Sequence, residues 1–180
     1  MKKFLVIALN LLMFFALPVL AQNFPLTVPF YGPSFSAAFP SPDSGLLDTN
    51  PTNGTTTDKA ATYTGVIISS STKDGKAWFG TADLAYDTIL ASSVAILDSA
   101  VDGGFANLKA STIPESRTSG VLDGQFSREG EAVNDTYDAF LRVSEVGNHR
   151  IIAIALFDKS LNATRADADS FFDSVRPATK

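Results

Sequence analysis

The apolar positions of this chain change period along its length, and those changes predict its elements. From Ala77 to Tyr86, the residues Trp78, Gly80, Ala82, Leu84 and Tyr86 alternate with Phe79, Thr81, Asp83 and Ala85. A period of two predicts a half-buried strand. The run from Ala61 to Thr72, centred on Val66-Ile67-Ile68, predicts the strand before it. Lys73-Asp74-Gly75-Lys76 lies between the two, and Asp-Gly supplies the positive φ that a tight hairpin needs. Further upstream Phe35, Ala37 and Phe39 alternate with Ser36 and Ala38 between Pro33 and Pro40, which predicts a first strand over 33–40. The segment 22–32, with Pro25 and Pro29, reads as an extended, weakly ordered arm, and 41–59 as a turn-rich loop.

Beyond Tyr86 the period lengthens. Leu90, Val94, Leu97, Val101, Phe105 and Leu108 recur every three or four residues, which predicts an amphipathic helix starting at Asp87 or Thr88. Gly103-Gly104 predicts its end near Asp102, with a glycine cap. Ala110 to Ser119, around Pro114, reads as a polar connection. A short strand from Val121 to Phe126, continuing towards Val133, is expected next, then one over Asp135 to Val146. After the turn Gly147-Asn148-His149 comes Arg150 to Asp158, RIIAIALFD, apolar on both faces and so expected at the sheet centre. Thr164 and Asp167 have capping-box spacing, and Ala168, Phe171, Phe172 and Val175 form the stripe of a last helix, ended by Pro177. The expected order is βββαβββα. It describes one α+β domain over 33–180, a mainly antiparallel sheet with a helix on each face, an α-β-α sandwich.

Composition places that domain. The 180 residues suffice for one core, and 45% apolar with 18% charged residues favours neither disorder nor a coiled coil. Residues 1–21, MKKFLVIALNLLMFFALPVLA, have a basic start, an apolar run from Phe4 and small side chains near Ala21. They read as a secretory signal cleaved before Gln22, which predicts a periplasmic or secreted protein, bacterial by its short start, with no stable membrane insertion after cleavage. Its removal takes away Lys2 and Lys3 and leaves 12 basic and 19 acidic groups, a net charge of −7. That balance counts against nucleic acid as a partner. With no Cys there is no disulfide, thiolate metal site, cysteine nucleophile or lipidated N-terminus.

Several segments in this order carry a resemblance. They are FSAAFP at Phe35–Pro40, DLAYD at Asp83–Asp87 leading into the long helix, and Leu122-Asp123-Gly124 followed by Arg128-Glu129-Gly130-Glu131. Arg142, the apolar strand Ile151–Phe157 and the closing helix Phe171–Val175 complete the set. The chain resembles the PsbP-like superfamily over about residues 33–177. That fold is shared with the Ran-binding Mog factor and bacterial DcrB-like envelope proteins. The resemblance implies an α-β-α sandwich with non-enzymatic accessory or binding roles, and transfers no site residue.

Candidate chemistry is sparse. His149 is the only imidazole and sits in a turn, where it reads as solvated; no Gly-x-Ser-x-Gly accompanies it. One His and no Cys exclude an ordinary zinc site. Asp169 and Asp173, four apart, share a helix face and are the residues a carboxylate hydrolase or a cation site would use. With Asp167 near the positive helix end, their simpler reading is a solvated face. Asp98 and Asp102 read the same way, and Gly103-Gly104 lacks a phosphate-binding fingerprint. Trp78, Phe79 and Tyr86 could line a ligand pocket; more simply, Trp78 and Tyr86 pack under a helix. Arg128, Glu129 and Glu131 read as an exposed charged edge. No catalytic, cofactor-binding or metal-binding residue is assigned. The function expected is an exported non-catalytic accessory or binding protein of the bacterial envelope, with an envelope protein as partner. A lipid or small-molecule carrier with a pocket between sheet and helix, and a carboxylate hydrolase, are the alternatives.

Overall fold

The computed structural model describes residues 24–40, 46–55, 61–89, 93–122 and 124–178. The expected signal segment and parts of the 41–59 loop lie outside the described residues. Before the first helix come β1 (Leu26–Tyr31), β2 (Phe35–Pro40), β3 (Asp48–Thr55), β4 (Thr62–Ser71) and β5 (Ala77–Tyr86). The helix α1 (Val94–Asn107) follows, then β6 (Ser111–Leu122), β7 (Gln125–Val133), β8 (Tyr137–Val146) and β9 (His149–Asp158). A 3-10 turn at Lys159–Leu161 leads to α2 (Arg165–Ser174) and the two-residue β10 (Arg176–Pro177). The protein is α+β. One antiparallel sheet runs β3-β4-β5-β9-β8-β7-β6, and a small one runs β1-β2-β10.

Four strands are additions to the expected order: the two-residue β10, which follows α2 and pairs with β2, and three others, each for a physical reason. Residues 26–31 are not a loose arm: β1 pairs with β2, and Phe24 rests 5.5 and 5.3 Å from the rings of Phe79 and Phe157. β3 lies within the expected loop. It is a polar edge strand, DTNPTNGT, with no apolar period to betray it. The supposed polar connection is most of β6, another edge strand, whose register shift between Ile113 and Thr118 accommodates Pro114. Gly124, at φ +80, turns the chain there, so β6 and β7 form a hairpin instead of one continuous strand. α1 also starts later than expected and passes through Gly103-Gly104 to Asn107. A Cβ on Gly104 would press on Leu141, so this glycine serves close helix-sheet approach.

β9 shows how the layers are arranged. Its odd residues Ile151, Ala153, Ala155 and Phe157 are buried with Phe171 and Phe172 of α2 and with Phe35 and Phe39 of β2. Its even residues Ile152, Ile154 and Leu156 are partly buried against a cluster holding Leu97, Val101 and Phe105 of α1. The helices therefore pack on opposite faces of the large sheet. α1 lies over β6, β7 and β8; α2 lies over β8 and β9, beside β2, which covers β4 and β5. Phe79 centres the α2-side core, with Phe24, Phe157 and Phe171 at 5.5, 5.5 and 5.3 Å in edge-on contacts. Among the described residues no helix is long and apolar enough to cross a membrane.

Candidate functional site

The densest polar chemistry lies where α2 meets the sheet. Thr164 caps α2: its backbone N–H and hydroxyl both donate to Asp167, at 2.6 and 2.9 Å. Asp167 is 4% exposed, so it is a buried cap and not part of a solvated face. Thr118, Glu129 and Arg142 stand opposite one another across β6, β7 and β8. Glu129, read from the sequence as exposed, is buried. It bridges the guanidinium groups of Arg142 and Arg165, and the Thr118 hydroxyl donates to it at 3.2 Å. Both guanidinium groups lie over the Phe172 ring, 5.3 and 5.4 Å from its centre. A charge-stabilised clamp thus encloses the helix's main apolar anchor.

Asp169 and Asp173 sit outside this clamp. Asp169 accepts from Arg165 Nε at 2.9 Å, and Asp173 from Arg142 Nη1 at 3.1 Å. Their side chains are 46% and 66% exposed, and each serves a different arginine. Glu131, one row along β7, has its carboxyl pushed up by burial, then by Asp169 and Asp138. A raised folded value means that the native state binds this proton more tightly, so stability is lost as pH rises through it. Glu131→Gln is expected to raise the unfolding temperature at pH 7, with the gain shrinking towards pH 4. Thermal melts of both proteins across that range check it.

The opposite face carries a second set. Trp78, expected under a helix, lies instead across Gly80 and is partly exposed, because α1 sits over other strands. Tyr86 is buried beside Tyr63, at 5.4 Å, and under the Arg150 guanidinium, at 5.2 Å. Burial pushes its phenol up. Arg150 donates to Tyr86 at 3.2 Å and to Glu145 at 2.9 Å. Asp98 and Asp102 are not merely solvated: Arg128 reaches Asp98 at 2.8 Å, and Arg117 binds Asp102. These pairs tie α1 to β7 and β6.

His149 opens β9 and is not a free turn residue: its Nδ1 lies 2.8 Å from Asp83 Oδ1. Phe79 faces the α2-side core, away from Trp78. Two open depressions, of about 580 and 220 Å³, are lined by strand ends and by the chain after β10; neither separates the sheet from a helix. Among the described residues no three His, Asp or Glu side chains gather as metal ligands would. Sequence reasoning passed over Glu145, Arg150 and Arg165. Their partners lie 5, 64 and 36 residues away in sequence; strand register brings Arg150 to Tyr86, and the packing of α2 on the sheet brings Arg165 to Glu129. No family model, curated protein or solved structure matches this chain.

Proposed function

We propose that the protein is an exported, non-catalytic accessory or binding protein of the bacterial envelope, a PsbP-like α-β-α sandwich whose partner is another protein. The observation that carries this reading is the opposed packing of α1 and α2 on alternate residues of β9. That arrangement is the one the family resemblance implies. The dispersal of Asp169 and Asp173 to separate arginines supports a binding role over a carboxylate hydrolase. In this reading the ion pairs hold helices to the sheet, and the protein acts through its surface.

Export has a clean test. Both methionines, Met1 and Met13, fall within residues 1–21. Protein made with selenomethionine and recovered outside the cytoplasm is expected to contain no selenium by intact mass. Recovery of exported protein with both selenium atoms contradicts cleavage. For the binding role, the purified protein is expected to capture a reproducible envelope protein after cross-linking. Turnover that copurifies with it and disappears in Asp169→Asn or Asp173→Asn would favour the hydrolase.

A further inference from the structure

We propose that the sheet face beside α1 is a docking site for a basic amphipathic helix of a partner protein. The inference rests on the binding-protein reading and adds the partner's chemistry. α1 lies over β6, β7 and β8. On the same face the neighbouring strands present Ile152, Ile154 and Leu156 of β9, Trp78 of β5 and Ile67 of β4, all partly exposed. Register makes them one surface: Ile67 stands opposite Ala82 and Ala82 opposite Ile152, while Trp78 stands opposite Leu156. Strands are spaced by about 4.8 Å, so β4 to β9 spans about 10 Å, the width of one helix. A helix laid there would continue the layer that α1 begins.

The flanks favour the same occupant. Asp98 and Asp102 point from α1 towards β7 and β6. Ile96 and Ala100 lie about 200° round the helix from them, on the side of β9. Ile96 is 36% exposed and Val94, at the start of the helix, 50%. The arginines on this face are already closed, Arg150 by Glu145 and Arg128 by Asp98. On the far flank, Asp48 of the edge strand β3 stands opposite Ser69, on the Ile67 face of β4, and is an exposed carboxylate. Among the described residues Asp48 forms no ion pair; Asp87, bonded to Thr62, belongs to the opposite face. An apolar face with Lys or Arg along one edge complements that arrangement. The net charge of −5 opposes an anionic bilayer as the occupant.

The probe is a synthetic leucine-lysine peptide of about 18 residues, roughly 27 Å as a helix, with leucines at helical spacing. It is titrated into the full chain at low ionic strength, with Trp78, the only tryptophan, as reporter. We expect a saturable shift of emission to shorter wavelength, weakened about tenfold by Ile154→Glu and about threefold by Asp48→Lys. Circular dichroism and thermal melts establish that each variant is folded. Asp48→Lys changes only an exposed edge residue and keeps the test valid if Ile154→Glu does not fold. Equal affinity in wild type and both variants overturns the proposal. A stronger response to phosphatidylglycerol vesicles than to the peptide also overturns it, as does a dimer in sedimentation that shields Trp78. An envelope protein captured equally by wild type and Ile154→Glu overturns this face as the site and leaves the binding-protein reading standing. Failure of every capture removes that reading too.

Discussion

Glu129→Ala is expected to destabilise the protein by about 3 kcal/mol and to release α2 before the rest of the fold. Glu129 is the shared acceptor of Arg142 and Arg165, whose side chains are only 12% and 21% exposed. Removing the carboxylate leaves two guanidinium groups crowded over Phe172 with Asp169 and Asp173 as their remaining partners. Those partners are exposed and contribute little, about 0.5 kcal/mol each. Asp173→Ala should therefore be nearly silent, and the contrast separates the buried bridge from the surface pairs. Urea unfolding measures the stability, and amide exchange along Arg165–Ser174 reports whether α2 opens first. Equal, small effects of the two substitutions would contradict the clamp.

Phe79→Ala is expected to cost about 3–5 kcal/mol, the range for emptying an aromatic site in a packed core. Phe79 is fully buried and touches rings from three separate parts of the chain: Phe24 before β1, Phe157 on β9 and Phe171 on α2. Its loss should loosen the small sheet and α2 together, because both rest on that ring cluster. Phe79→Leu restores most of the volume and should cost less than half as much. Denaturant midpoints of the two variants check the ordering. A cost for Phe79→Ala within about 1 kcal/mol, the level of a tolerated swap, would place the core elsewhere.

The sequence disclosed the elements that bury an apolar face and concealed those that do not. The bounds read for β5 are those observed, because Trp78 to Tyr86 alternate without a break. β9 is legible as central because both its faces are apolar; the odd face is buried and the even face is half-covered beside α1. The Thr164–Asp167 box gave the start of α2, where a short-range hydrogen bond fixes the backbone. β3 and β6 were hidden because edge strands meet solvent and need no period; both carry proline besides. β1 is hidden by Pro25 just before it and Pro29 within it, though its inward side packs on the core. Chemistry was harder to see than shape. Arg142 and Glu129 look like surface charges until register places them opposite each other under α2. A weak signal existed: Arg142 follows Phe140 on the same face of β8, a charged residue where the strand should be covered.

The packing of α1 and α2 against opposite sides of the large sheet has a direct test. The chain has no cysteine, so Ser99→Cys with Ser170→Cys, both exposed helix positions, gives a single spin-labelled pair. Pulsed electron-electron resonance should find the labels farther apart than the roughly 20 Å between the helix axes, two layer spacings of about 10 Å, since both side chains point outward. A distribution centred near the 8–10 Å spacing of helices packed side by side would contradict the fold and the binding face derived from it.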